Sequence, residues 1–287
     1  MKLVWLGGAL LGGAIVMAAC APLRAFDALM PKDSESGEIA RNIAYGEGPR
    51  RMLDLYAPRA TESGAHLPVI VFIYGGSWAS GTREGYAFAG RALAAAGFVV
   101  VIPDYRLVPD IAFPAFLQDC AAAVRWTRSH AAQYGGDPDR LVLVGHSAGA
   151  YNAAMLAFDP QWLGPDRAAI RGFAGLAGPY DFLPLDGPIP KATFSAWPRP
   201  DETQPIHYAD RTAPPSLLLH GDQDDTVFPR NSVHLQKKLA EAGVRSELKT
   251  YPGIGHVGIV TALARPFRDR APVLADVAAF AHRVTAR

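Results

Sequence analysis

With 287 residues, 49% of them apolar, the chain has enough hydrophobic mass to bury one large core, which excludes a disordered chain. Its 28 basic and 27 acidic side chains leave a formal net charge of +1. No basic run interleaved with aromatics occurs, so nucleic acid finds no electrostatic footprint.

In chain order, the first segment differs in kind from the rest. Lys2 and the α-amino group give a positive start, and Leu3 to Ala19 then runs without a charge. That run is shorter than the ~20 residues of a spanning helix. Small residues close it, Ala18-Ala19-Cys20-Ala21, so residues 1–20 read as a secretory signal peptide. The segment also resembles a bacterial lipoprotein signal, with Met17 where that pattern usually has Leu. The resemblance implies that Cys20 becomes the lipidated first residue, holding an exported protein at a bacterial membrane, facing the periplasm or the cell surface. Ordinary cleavage at Ala19-x-Ala21, giving a soluble exported protein, and an uncleaved anchor are the alternatives. Residues 21–37 read as a tether. Cys120 is the only other cysteine, so loss or lipidation of Cys20 leaves no internal disulfide. Cys120 itself reads as a small buried apolar residue.

From Ile39 the pattern alternates. Ile39–Tyr45 and Arg51–Tyr56 read as two strands, joined by a turn-rich link and hence antiparallel. Val69–Tyr74 is a continuous apolar run, suited to a strand buried on both faces. Tyr86–Ala96 reads as a helix, Phe98–Pro103 as a strand, Phe116–Tyr134 as a helix and Leu141–Val144 as a strand. Ala148–Phe158 (helix), Ile170–Leu176 (strand), Ser216–Leu219 (strand), Arg230–Ala242 (helix), Glu247–Tyr251 (strand) and Pro272–Val284 (helix) follow. Alternation of this kind means βαβ units and a mostly parallel sheet of about eight strands flanked by helices. Within a single domain spanning residues 38–287, the stretch around 182–215 breaks the rhythm. It is rich in proline and aromatics without a clear period, and its length marks it as a functional insertion, a small cap.

Gly145-His146-Ser147-Ala148-Gly149 follows the strand Leu141–Val144 and opens the helix at Ala148. That is the setting of a nucleophile elbow, in which glycines permit a sharp turn and the serine stands near a helix N-terminus. Such a serine needs a base and an orienting acid downstream. Asp222, Asp224 and Asp225 follow the strand ending at Leu219. His256 follows the strand ending at Tyr251, among loop glycines that leave it room to reach the sheet edge. The other histidines are weaker candidates: His146 adjoins the serine but points differently, and His220 is too close to the acid loop to reach Ser147 as well. His207 sits in the insertion, and His66, His130, His234 and His282 fall in linker or helix. No histidine pair has metal-ligand spacing, so neither a metal nor another cofactor is called for. The oxyanion needs backbone N–H donors. One belongs to Ala148, and the loop Tyr74-Gly75-Gly76-Ser77-Trp78 can supply others.

These residues resemble the α/β-hydrolase superfamily, in particular the bacterial carboxylesterases related to hormone-sensitive lipase and the short-capped feruloyl-esterase-like and arylformamidase-like branch. The likeness covers nearly all of residues 39–287. It rests on Asp104-Tyr105-Arg106-Leu107, Phe113-Pro114, Asp119, Arg125-Trp126 and Gly135-Gly136-Asp137-Pro138 before the elbow. It implies the α/β-hydrolase fold. His220-Gly-x-x-Asp224 matches the family's acid motif and selects Asp224, His256 matches the base, and Gly76, Ser77 and Ala148 match the oxyanion hole. Tyr74 stands where the family usually has His, and Ser77 where the lipase-like version has a third Gly.

The expected chemistry is serine hydrolysis of small or medium carboxylic esters through an acyl-enzyme, without a cofactor. Trp78, Phe194, Trp197 and Tyr208 are candidate walls of the substrate pocket, with ordinary core or cap packing the alternative. His256 must be neutral to act as base, so activity should fall as pH drops through roughly 6–7. An aryl formamide or other amide substrate is the nearest enzymatic alternative. A non-catalytic binding protein on the same fold is the alternative from another class.

Overall fold

A computed structural model describes residues 23–60 and 66–286. Cys20 and the rest of the amino-terminal signal lie outside them. Residues 23–29 are helical (α1). Then come β1 (Ser36–Ala44), β2 (Met52–Pro58), β3 (Leu67–Ile73), α2 (Ala87–Ala95), β4 (Val99–Pro103), α3 (Ala115–His130) and β5 (Gly136–His146). After them run α4 (Ala148–Phe158), α5 (Pro160–Leu163), β6 (Ile170–Leu176), α6 (Pro188–Phe194), β7 (Ser216–Gly221), α7 (Arg230–Glu241), β8 (Ser246–Tyr251), α8 (His256–Thr261) and α9 (Val273–Val284).

The strands form one sheet in the order β1-β2-β4-β3-β5-β6-β7-β8. β1 pairs antiparallel with β2, and β2 antiparallel with β4. All later pairings are parallel. The apolar runs explain the centre: from Val69 to Ile73 and from Leu141 to Val144 the side chains are fully buried, as strands covered on both faces must be. The chain steps from β3 outward to β4, then returns past β3 to β5. Right-handed crossovers therefore place α2 on one face and α3 and α4 on the other. The reversal opens a crevice beyond the carboxyl ends of β3 and β5, where ligands of open parallel sheets bind. The loop Tyr74–Trp78 and the elbow at Ser147 emerge side by side there.

Two expectations change. Part of the segment read as a tether is docked on the domain. Leu23, Phe26 and Met30 pack against the core, and Phe26 meets Phe88 edge-on at 5.2 Å. Asp27 accepts the Phe88 N–H at 2.7 Å, and Asp33 pairs with Arg268 at 2.7 Å. The second change is α8, a short helix where the sequence suggested a loop; Gly255 is its N-cap residue, and its first residue is His256. The insertion holds α6 and two 3₁₀ turns, Pro200–Thr203 and Pro205–Tyr208, each with a proline in its first turn, where the missing N–H costs nothing.

Candidate active site

Ser147 sits between β5 and α4 with φ 54° and ψ −125°, the strained backbone of a nucleophile elbow. The turn is possible because its flanks lack side chains. A Cβ on Gly149 would lie 2.0 Å from the Ile73 carbonyl oxygen, and one on Gly145 would lie 2.3 Å from that of Gly149. Ser147 N–H donates to the Leu176 carbonyl at 2.9 Å, which pins the elbow to β6.

The three side chains converge from three strand ends. His256 Nε2 lies 2.8 Å from Ser147 Oγ, and His256 Nδ1 lies 2.8 Å from Asp224 Oδ2. The structure separates the three neighbouring carboxylates. Asp225 is exposed, and Asp222 accepts the Gly253 N–H at 2.8 Å and so ties the base loop to the acid loop. Asp224 is buried, with Oδ1 taking the N–H groups of Thr226 (3.0 Å) and Val227 (2.8 Å). Burial pushes the Asp224 carboxyl up, but hydrogen bonds from His220 and His256 and from the Val227 amide outweigh it and hold the group well below the usual carboxylate range. Asp224 is therefore an anion wherever the site works.

His220 is a partner that sequence reasoning passed over. Its Nε2 faces Asp224 Oδ2 at 3.2 Å and the Val227 carbonyl at 2.8 Å, and its Nδ1 lies 2.7 Å from Ser232 Oγ. Two acceptors at Nε2 place the proton there, so Ser232 donates to Nδ1. Asp224 thus receives N–H donors from two imidazoles, which fixes its plane. The signal was present in the His-Gly-x-x-Asp spacing.

The loop after β3 takes three successive residues into positive φ: Gly76 (132°), Ser77 (52°) and Trp78 (57°). The Gly76 carbonyl closes the turn by accepting the N–H groups of Ala79 (3.0 Å) and Ser80 (2.9 Å). The amides of Gly76, Ser77 and Ala148 find no acceptor among the described residues and remain available to a substrate oxygen. Trp78 offsets the strain by packing. Its ring is buried edge-on against Phe194 (4.9 Å) and Tyr151 (5.2 Å), and its N–H donates to Asn152 at 3.1 Å.

Tyr74 braces this loop from below. Its hydroxyl donates to Asp104 Oδ1 at 2.7 Å and accepts from Arg50 at 2.7 Å, while its carbonyl accepts from Tyr105 Oη at 2.9 Å. Its ring is fully buried and stacked on Tyr105 and Tyr86. Burial, with Asp104 beside it, raises the phenol well above its ordinary range, so it stays a neutral donor. Asp104 also takes the Arg83 amide at 2.9 Å and its guanidinium. A tyrosine in the usual histidine position is thereby accounted for.

A cavity of about 650 Å³ opens over Ser147, lined by Ser77, Trp78, Ala148, Phe182, Leu183, Leu185, Ile189 and Phe228 among others. Of the four aromatic residues expected at the pocket, only Trp78 lines it. Phe194 is buried behind Trp78 and, with Trp197, faces a neighbouring cavity of about 730 Å³ beyond Leu183–Leu185. Tyr208 lines neither cavity and donates to the Glu202 carbonyl at 3.0 Å. The true walls were hidden because Phe182–Leu185 has no period and Phe228 lies in a turn. His207 is exposed and outside the cavity. No group of His, Cys, Asp and Glu that could hold a metal occurs among the described residues, nor does a helix long and apolar enough to cross a membrane.

Comparison with known proteins bears on this geometry. Residues 115–286 match the prolyl oligopeptidase family and residues 53–165 match the BD-FAE family. The esterase LipC of Mycobacterium tuberculosis is 30% identical over 75% of this chain and 59% of its own length. A probable isoprenylcysteine alpha-carbonyl methylesterase of Arabidopsis thaliana is 28% identical over 77% of this chain and 51% of its own. The chain therefore spans between half and two thirds of these relatives. Among solved structures, esterase B from Lactobacillus rhamnosis superposes with TM-score 0.80 at 23% identity, covering 95% of this chain and 94% of that one. EstE1, a thermophilic carboxylesterase from a metagenomic library, gives TM-score 0.78 at 21% identity, covering 96% and 98%. The fold is the α/β-hydrolase fold.

Proposed function

We propose that this chain, which belongs to the prolyl oligopeptidase family, is a serine hydrolase that cleaves carboxylic esters through an acyl-enzyme. The observation that carries the reading is the unbroken line Ser147 Oγ, His256, Asp224, both steps at 2.8 Å, beside three backbone amides that find no acceptor among the described residues. Ser147 Oγ attacks the ester carbonyl carbon as its proton passes to His256 Nε2. Asp224 holds Nδ1 and balances the imidazolium charge. The amides of Gly76, Ser77 and Ala148 stabilise the oxyanion. Collapse of the intermediate expels the alcohol, which takes the proton from His256. Water then repeats the sequence and releases the acid. Short to medium acyl or aromatic esters suit the apolar cavity beside Trp78. The esterase names of the curated relatives support the same substrate class.

Labelling with a fluorophosphonate tests this reading. One adduct by intact mass on the wild type and none on Ser147→Ala is expected; no adduct on folded wild type would refute it. An amide substrate is the second reading, favoured by the family match over residues 115–286. Parallel assays on short acyl esters, an aryl formamide and a prolyl amide separate the two. For location, the charge-free run to Ala19 followed by Cys20 supports export with lipidation at Cys20. Incorporation of labelled fatty acid that disappears in Cys20→Ala is the expected result, and its absence from the wild type would overturn that reading.

A further inference from the structure

The residue before the nucleophile is a histidine that the reaction does not use. His146 is 4% exposed and lies under His256, ring centroids 5.0 Å apart. Its Nε2 is 3.0 Å from the His256 carbonyl oxygen. Since a carbonyl only accepts, Nε2 carries the proton and donates. Its Nδ1 is then a bare acceptor, and it faces the Tyr86 hydroxyl at 3.5 Å. Burial raises the Tyr86 phenol, and the backbone N–H of Gly75 beside it acts in the opposite direction. Gly75 immediately precedes the two amides of the oxyanion loop, and it packs so closely that an added Cβ would lie 3.1 Å from His146 Nδ1.

We propose that His146 is a positioning residue that links the oxyanion loop to the catalytic base, through Gly75 N–H, Tyr86 Oη, His146 Nδ1, His146 Nε2 and the His256 carbonyl. The inference rests on the serine-hydrolase reading. His256 opens α8, and its carbonyl accepts from the side chain next to the nucleophile. Holding that carbonyl sets the position of the ring that must meet Ser147 Oγ. The same imidazole, through Tyr86, sets the plane of the Gly75 peptide and hence the direction of the next two amides. The base and the oxyanion donors come from loops far apart in sequence, and His146 is a single side chain that touches the supports of both. Burial first, and the neighbouring His256 second, push the His146 imidazole down to about 3, consistent with a neutral ring that donates at one nitrogen and accepts at the other.

The link predicts a loss in kcat rather than in substrate binding, because it acts on groups engaged by the transition state. His146→Leu removes both hydrogen bonds at similar volume; His146→Gln restores a donor where Nε2 stands; Tyr86→Phe removes only the hydroxyl. On a short-chain 4-nitrophenyl ester, His146→Leu should lower kcat about 10- to 100-fold with KM within about twofold, and His146→Gln should recover most of the loss. Tyr86→Phe should lower kcat about fivefold, and the Tyr86→Phe/His146→Leu pair should be no worse than His146→Leu alone, as members of one chain behave. Fluorophosphonate labelling rates of Ser147 should fall in parallel. A His146→Leu protein with wild-type kcat and labelling rate overturns the proposal. So does multiplication of the two separate effects in the double variant, or a loss confined to KM. Should His146→Leu not fold, the His146→Gln and Tyr86→Phe values carry the same decision. Wild-type protein that takes no label at all instead refutes the hydrolase reading on which the link depends.

Discussion

Tyr74→Phe tests the brace beneath the oxyanion loop with the smallest possible change. The ring stays, stacked 4.9 Å from Tyr105 and 5.5 Å from Tyr86, so the void left is only that of a hydroxyl. What is lost is one bond to a buried carboxylate and one from a guanidinium, both at 2.7 Å. Hydrogen bonds to charged groups contribute about 1.5–3 kcal/mol each. The partners are not abandoned, however. Asp104 keeps the Arg83 amide and guanidinium, and Arg50 keeps the carbonyls of Tyr105 and Gly81, both at 2.9 Å. The net loss should therefore be about 1–2 kcal/mol, near the lower end of that range. Equilibrium unfolding in urea should show a lower midpoint at unchanged slope, and Tm should fall by about 3–6 °C. On the proposed mechanism, in which the loop supplies transition-state donors, kcat should fall a few-fold with KM nearly constant. Unchanged stability and unchanged kcat would refute the idea that the hydroxyl braces the loop. A loss beyond about 4 kcal/mol would refute the claim that Asp104 and Arg50 stay satisfied without it.

Gly149→Ala should abolish soluble folded protein or shift its melting drastically, because the new Cβ would sit 2.0 Å from the Ile73 carbonyl oxygen, a backbone atom that cannot move cheaply; near-normal melting by circular dichroism would contradict the packing. Asp224 has a folded-state carboxyl depressed below its unfolded value, so its stabilisation is present above the unfolded pKa of about 3.9 and is lost as pH falls toward the folded one. Asp224→Asn should therefore flatten the decline in urea midpoint below about pH 4, and an identical acid limb in both proteins would exclude Asp224 as a contributor. Trp78→Ala should raise KM for aromatic esters and destabilise the protein by about 3–5 kcal/mol, while Tyr208→Phe should leave KM alone; the reverse order would place the pocket elsewhere. His220→Gln should lower kcat about tenfold with little change in KM, since Asp224 keeps its bond to His256 but loses a donor that fixes its plane; a wild-type kcat would show that the second imidazole is dispensable.

Much of this was legible in the sequence. Apolar runs placed β3 and β5, because burial on both faces leaves a continuous hydrophobic signature, and α4 and β6 were bounded to the residue; β5 runs from Gly136 to His146, well beyond the apolar run Leu141–Val144 that marked it. The elbow was legible because its glycines are demanded locally, by a turn of a few residues. The docking of residues 23–36 was not, since a short segment of mixed composition shows its contacts only once Phe88 and Arg268 are brought to it. Nor was α8, whose six residues after Gly255 are too few to show a period.

What the sequence by itself determined is whatever depends on neighbours in the chain: the alternation of strands and helices, the strained serine, and candidate acids and a base at the ends of later strands. The motif around Asp224 singled it out from Asp222 and Asp225, but only the tertiary structure decided what holds that carboxylate, what Tyr74 holds, and which side chains wall the cavity. Those answers lie in contacts between distant positions, 30 apart for Tyr74 and Asp104 and 109 apart for Ser147 and His256. Local pattern cannot encode them, because hydrogen-bond geometry is satisfied over a few ångströms in space, and the sheet's reversal between β3 and β5 brings the loops within that reach.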